Sequence, residues 1–329
     1  MAEGTLQPES ATLPCCPSLS YDHGRPGPAT QLASLDRTHA PVAECEARIQ
    51  IDELDNGRLI VNRPFRGILS AQGLTTFEAL YTFAGGDEVR RVKSRRTVRI
   101  ELPAPTAHDA TAVRVFYLKR HEPPRWSEQW RPLLNFGKPI LGGRNEWQAI
   151  LKFQAAGIPT MTPVAFGESQ GRSLVLTEDL GTDYTLLDWA QSVANNSSRH
   201  ADFAPTADEA QKRTVIHRVA ALARRMHAVG AHHQDFYLNH ILWCGDPADF
   251  DFRVIDLGRV GFSPRLSQRW IRKDLAQLDY SARTLSCADR LRFLRLYLGR
   301  PFTRSDRELV RKIARKSRHI ASHSAKHQL

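Results

Sequence analysis

Polar and apolar positions along this chain follow two regimes. Between about residues 85 and 180 the spacing is mostly that of strands. Glu88–Val92, Thr97–Leu102 and Val113–Leu118 are short β-prone runs, and Lys93-Ser94-Arg95-Arg96 joins the first two. Alternation in the third puts Val113, Val115, Tyr117 and Lys119 on one face. Residues 161–167 and 172–178 read as two further strands. Two helices interrupt this region. One falls within Thr75–Phe83 (Phe77, Leu80, Tyr81) and ends at Gly85-Gly86. The other spans about Asn145–Ala155, carries Trp147, Ile150 and Leu151, and is stopped by Gly157-Ile158-Pro159.

Past a polar loop at Ala194–Pro205 the spacing lengthens to three and four. Val215, Val219, Leu222, Ala223, Met226 and Val229 predict a helix behind the capping box Thr206-x-x-Glu209, ended by Gly230. Trp270–Tyr280, Asp289–Leu298 and Ser305–Ile320 predict three more. The expected fold class is α+β and bilobal. A small antiparallel β-rich N-lobe (46–180) precedes a larger, mainly helical C-lobe (181–329). Before both, residues 1–45 hold six prolines and no apolar period, as a flexible arm does.

Composition narrows the setting. No apolar run approaches the roughly 18 residues that span a bilayer, and the first residues lack the pattern of a secretory signal. The five cysteines lack the paired spacing of a zinc site. A cytoplasmic chain with free thiols is expected. The net charge of +11 asks for an anionic partner. No nucleic-acid recognition motif is present, so nucleic acid is not expected. Part of the charge is concentrated. Arg300–Leu329 carries nine Lys/Arg against Asp306 and Glu308, with a narrow apolar stripe of Leu309, Val310, Ile313 and Ile320. Such a helix either rests on the anionic inner face of the cytoplasmic membrane, where each cation contributes about 1 kcal/mol, or stands in solvent.

The chemistry is concentrated in His233-Gln-Asp235-Phe-Tyr-Leu-Asn239-His240-Ile-Leu-Trp243 and Phe252-Arg-Val-Ile-Asp256-Leu-Gly258-Arg259. Ile241–Trp243 and Phe252–Ile255 are short apolar strands across a turn-rich link. Paired as a hairpin, they bring His240 beside Asp256, with Asp235 one loop away. Two carboxylates and an imidazole at one edge can hold a divalent cation and accept a proton. Either Asp alone reads as a turn or cap residue; the two in this order favour chemistry.

This block is similar to the H-R-D-x-x-x-x-N and D-F-G segments of protein kinases. More narrowly, the chain resembles the bacterial lipopolysaccharide core kinases, the Kdo/heptose kinase family. Lys93–Leu102, Tyr117-Leu-Lys119, Asn145–Ile150, Thr160–Gly167, Asp235–His240 and Lys273-Asp-Leu-Ala276 carry the resemblance, in order, over about residues 85–300. It implies a protein-kinase-like fold and an ATP-dependent transfer to a heptose or Kdo hydroxyl of an anionic glycolipid. By resemblance, Lys119 holds the α/β-phosphates and Glu146 pairs with it. Asp235 takes the acceptor's proton, and Asp256 holds Mg²⁺. Asp274 is either a buried support for the catalytic loop or an exposed helix acid. Backbone groups at Glu178-Asp-Leu180 take the purine.

Two departures stand out. His240 occupies the position of the second metal-binding Asn, as the narrow family tends to have it, although imidazole is a soft ligand for Mg²⁺. No G-x-G-x-x-G precedes Lys119; Ser94, Arg95 and Arg96 lie where the phosphate-covering loop belongs. They either replace backbone amides with positive charge or form a solvated basic turn. The rival readings are a protein kinase and a catalytically silent kinase-like scaffold. The sequence leaves oligomeric state and the exact sugar open.

Overall fold

A computed structural model describes residues 49–92, 94–105, 109, 111–123, 142–195 and 209–327. The Pro-rich arm, Lys93 and the Thr206 capping position lie outside them.

The first half is built on one seven-stranded antiparallel sheet. Its strands are β1 (Ile51–Leu54), β2 (Leu59–Asn62), β3 (Asp87–Val92), β4 (Arg95–Pro103), β5 (Val113–His121), β6 (Pro163–Ser169) and β7 (Arg172–Glu178), in the order β1-β2-β6-β7-β5-β4-β3. β5 thus lies between β4 and β7, and Lys119 is opposite Thr97 on one side and Val175 on the other. Alternation gives β5 two uses. Phe116 and Leu118 are buried against α1 (Arg66–Ala71) and α2 (Phe77–Thr82), which cover the far face of the sheet. Tyr117 and Lys119 point the other way, into a cleft. Gly86 makes the turn into β3 possible. Its φ is +103°, and an added Cβ would stand 2.2 Å from the Arg99 carbonyl oxygen.

On the cleft side α3 (Arg144–Ala155) packs Trp147, Ile150 and Phe153 against Phe166 and Val175 of the sheet. The same cluster continues into the second half through Met226, Trp243 and Phe252. Val254 N–H donates to the Pro159 carbonyl at 3.0 Å, and Thr160 Oγ1 donates to the Val254 carbonyl at 2.6 Å.

The second half runs through α4 (Leu186–Asn195), α5 (Glu209–Ala228), β8 (Ala231–His232), β9 (Ile241–Gly245), β10 (Phe250–Val254), β11 (Gly261–Phe262), α6 (Gln268–Ser281), α7 (Cys287–Leu298) and α8 (Asp306–His327). β9 and β10 form the expected hairpin, with Ile241 opposite Val254. Gly230 ends α5 at φ +76°, and a Cβ there would lie 2.2 Å from the Ser263 carbonyl oxygen. That close approach sets β8 beside β11. The α+β, two-lobed arrangement is the one the sequence predicts.

Several elements escape the sequence pattern. β1, β2 and α1 are too short to show a period. α4 occupies a stretch assigned no structure and extends into the predicted loop. It is capped reciprocally: Asp188 N–H donates to Thr185 Oγ1 at 3.1 Å, and Thr185 N–H to Asp188 Oδ2 at 3.0 Å. One expectation is corrected. The apolar stripe of α8 is not open to a leaflet. Ile313 is buried with Leu275, Ala276 and Leu294, and Leu309, Val310 and Ile320 pack against the same cluster. What α8 turns outward is mainly its basic residues. No helix among the described residues is long and apolar enough to cross a membrane.

Candidate active site

The cleft between sheet and helices has a volume of about 1100 Å³. Lys119, Glu146, Asp235, His240 and Asp256 all line it, although they come from four separate stretches of chain. Ser94, Arg95 and Arg96 line it as well, at the β3–β4 turn.

Lys119 Nζ donates to Glu146 Oε1 at 2.6 Å. Glu146 is 2% exposed, in the first turn of α3, where the helix dipole favours an acid. Burial alone pushes the Lys119 ammonium toward neutrality. Glu146 and then Asp256 outweigh it, so its pKa ends above the ordinary lysine value. Asp256 is the mirror case. Burial raises its carboxyl pKa, but Lys119, His240 and His233 prevail, and it lies below the ordinary value. The charged forms of the two groups hold each other.

Asp256 sits in the left-handed region, φ 58° and ψ 56°, where Asp is tolerated better than bulkier residues. His240 Nδ1 donates to the Asp235 carbonyl at 2.7 Å. That orients the ring, with Nε2 3.9 Å from Asp256 Oδ2. Among the described residues no three His, Cys, Asp or Glu side chains converge closely enough to hold an ion by themselves. Magnesium bound largely through nucleotide phosphates needs only one or two protein ligands. Asp256 fits that role by its hard oxygen, and His240 by its position.

The loop carrying Asp235 is clamped from beneath. Asp274, fully buried, accepts the backbone N–H groups of His233 at 2.8 Å and Gln234 at 2.9 Å. Gln277 adds two bonds: its Nε2 donates to the Gln234 carbonyl at 2.6 Å and its Oε1 accepts from Phe236 N–H at 3.0 Å. These hold Gln234 at φ 71°, uncommon for a residue with a Cβ. His233, buried and pushed toward its neutral form by that burial, donates from Nε2 to the Ile255 carbonyl at 3.0 Å. The loop is thereby tied to the residue before Asp256.

Three contributors are new relative to the sequence reading. Arg259 Nη1 donates to Asp235 Oδ2 at 3.1 Å. Asn145 Nδ2 donates to the carbonyls of Gly258 at 2.9 Å and Val260 at 3.1 Å, joining α3 to the Asp256 turn. Arg90, on β3, reaches the cleft beside Lys119 and Asp256. Arg259 lay within the motif itself, three residues past Asp256, and Asn145 opened one of the segments that carry the resemblance; nothing in the pattern marked Arg90. Arg96 is committed across the hairpin to Glu88 at 2.5 Å. The purine expectation concerns backbone groups at Glu178-Asp-Leu180. Glu178 N–H donates to Thr162 and Asp179 N–H to Val115, at 3.0 and 2.9 Å, which removes both donors from a ligand's reach.

Residues 85–297 match the model of the lipopolysaccharide kinase (Kdo/WaaP) family. Lipopolysaccharide core heptose(I) kinase WaaP of Pseudomonas aeruginosa is 34% identical over 265 residues, which is 77% of this chain and 90% of that one. A WaaP of Escherichia coli is 32% identical over 241 residues, 70% of this chain and 84% of that one. A solved structure of WaaP in complex with acyl carrier protein superposes with a TM-score of 0.61 at 30% identity, covering 80% of this chain and 98% of that chain. The chain belongs to the lipopolysaccharide kinase (Kdo/WaaP) family.

Proposed function

We propose that this protein is an ATP-dependent kinase that phosphorylates a heptose hydroxyl of the lipopolysaccharide inner core, working at the cytoplasmic face of the membrane. The observation that carries the reading is the Lys119–Glu146 pair at 2.6 Å, in one cleft with Asp235 and Asp256. A silent scaffold has no need to keep a desolvated ammonium aimed at a carboxylate in an open cleft.

In this reading Lys119, oriented by Glu146, grips phosphate oxygens of ATP, and Arg90 and Arg95 add positive charge from the β3–β4 hairpin. Asp256, with His240 beside it, would hold a magnesium ion, which would supply charge neutralisation for the transferred phosphoryl group. Asp235 accepts the proton of the attacking hydroxyl at a carboxylate oxygen, and the Asp274 and Gln277 bonds keep it in position. Arg259 must loosen its hold on Asp235 for this, or turn its charge toward the acceptor. With its apolar stripe packed inside, α8 meets an anionic membrane surface through charge alone.

The test is phosphate transfer from ATP to purified core oligosaccharide. Asp235→Ala is expected to lower kcat by about 10²–10⁴-fold with its thermal midpoint near the wild-type value. An unchanged rate removes Asp235 from the mechanism. ATP binding without transfer to any saccharide leaves the scaffold reading standing.

A further inference from the structure

On the helical side of the cleft a group of cations makes no ion pair among the described residues. Arg269 and Lys273 come from the start of α6 and Lys316 from α8, and all three line the cleft. Among the described residues, none of them lies within ion-pair distance of a carboxylate. The acids nearby are otherwise engaged: Asp235 with Arg259, Asp274 with two backbone N–H groups. The cluster is also ordered. The Arg269 guanidinium and the Lys273 ammonium stand 5.3 and 5.5 Å from the Trp270 ring centre. That ring stacks on His232, centroids 4.5 Å apart and planes at 17°.

Arg269 and Lys316 alone would read as solvated surface cations, which are common. Lys273 argues otherwise. Its ammonium is partly buried, and burial lowers its pKa; Asp235 and Asp274 oppose this only in part, while Arg259 and Lys316 press the same way. Packing like charges around a half-buried ammonium is unfavourable until an anion arrives. The location matters too. Lys119 and Asp256 feel Arg90 from the sheet side, whereas Lys273 feels Asp235 and Lys316 from the helical side. Asp235 lines the same cleft as the phosphate-holding groups and these cations, where an acceptor held by the cations can meet it.

We propose that Arg269, Lys273 and Lys316 form an anion-binding acceptor subsite, which holds carboxylate or phosphate groups of a charged saccharide so that its hydroxyl meets Asp235. The proposal rests on the phosphotransferase reading above.

Steady-state kinetics of the full chain test it, with core oligosaccharide bearing carboxylate groups as the varied substrate and ATP saturating. The Lys273→Gln variant and the double variant Arg269→Gln/Lys316→Gln should each raise the acceptor KM about tenfold, with the ATP KM changed by less than about twofold. Lys273→Arg should recover most of the loss. Acceptor kcat/KM should also fall less steeply with salt in the double variant. If Lys273→Gln does not fold, the two exposed positions carry the test. An unchanged acceptor KM in folded, active variants overturns the subsite and leaves the reaction intact. A wild type that turns over ATP but phosphorylates no saccharide overturns both.

Discussion

His121 stands two residues beyond Lys119 on the same face of β5, and its imidazole is buried. Burial pushes its pKa down from 6.5 to about 4, with Arg95 and Lys119 adding repulsion. The unfolded chain therefore takes up this proton first as pH falls. Stability from His121 is fully present above pH 6.5 and is lost progressively toward pH 4, by about 3 kcal/mol in all. Buried His233 acts with the same sign. Asp256, lowered, keeps its full contribution down to its ordinary value of 3.8 and loses it only below, and Lys119, raised, keeps its contribution up to 10.5 and loses it only above. The window between pH 4 and 6.5 thus reads the histidines. Urea unfolding at pH 5 and pH 7.5 should show the wild type markedly more stable at the higher pH. His121→Gln should lose a large part of that difference. A variant with the wild-type slope would show that His121 titrates normally in the fold.

Among the elements, α8 shows why periodicity alone mistakes a destination. Its stripe was legible, and so was its basic face, but a stripe does not say what covers it. α6 and α7 do, through Leu275, Ala276 and Leu294. Ile313→Ala should therefore lower the unfolding free energy by about 2–5 kcal/mol, as truncation in a packed core does. Denaturant titration beside a vesicle-pelleting assay decides the matter: unchanged stability with lost binding to anionic vesicles would return the stripe to the membrane. Elsewhere legibility followed signal strength. The alternation of β5 put Lys119 on the cleft face, and the hairpin reading brought His240 to Asp256 because strand pairing is local. β1 and β2 were invisible since each has four residues and gains its place from pairing within the sheet rather than from its own pattern. α4 had a readable cue in Thr185-x-x-Asp188. The contacts of Arg90 and Asn145 were beyond reach, because only tertiary packing turns a strand arginine or a helix-start amide toward a site.

The two lobes are one folding unit as far as their cores are concerned. Trp147 and Phe153 of α3, together with Phe166 and Val175 of the sheet, share a continuous cluster with Met226, Trp243 and Phe252 of the helical half. Polar ties run the same way, from Thr160 to Val254 and from Asn145 to Gly258 and Val260. The cleft is therefore walled by elements that cannot be parted at its back without exposing large aromatic side chains. Unfolding of the sheet half alone would leave apolar surface of the helical half in water, which weighs against an intermediate. A single calorimetric transition is expected, with calorimetric and van't Hoff enthalpies in agreement. Trp147→Ala should shift that whole transition downward, losing about 3–5 kcal/mol, rather than split it. Two resolved transitions, only one of them moved by the substitution, would mean that the lobes fold independently and that the shared cluster is contact without coupling. In that case the alignment of Lys119 with Asp235 and Asp256 would depend on nucleotide bound between the lobes rather than on their packing.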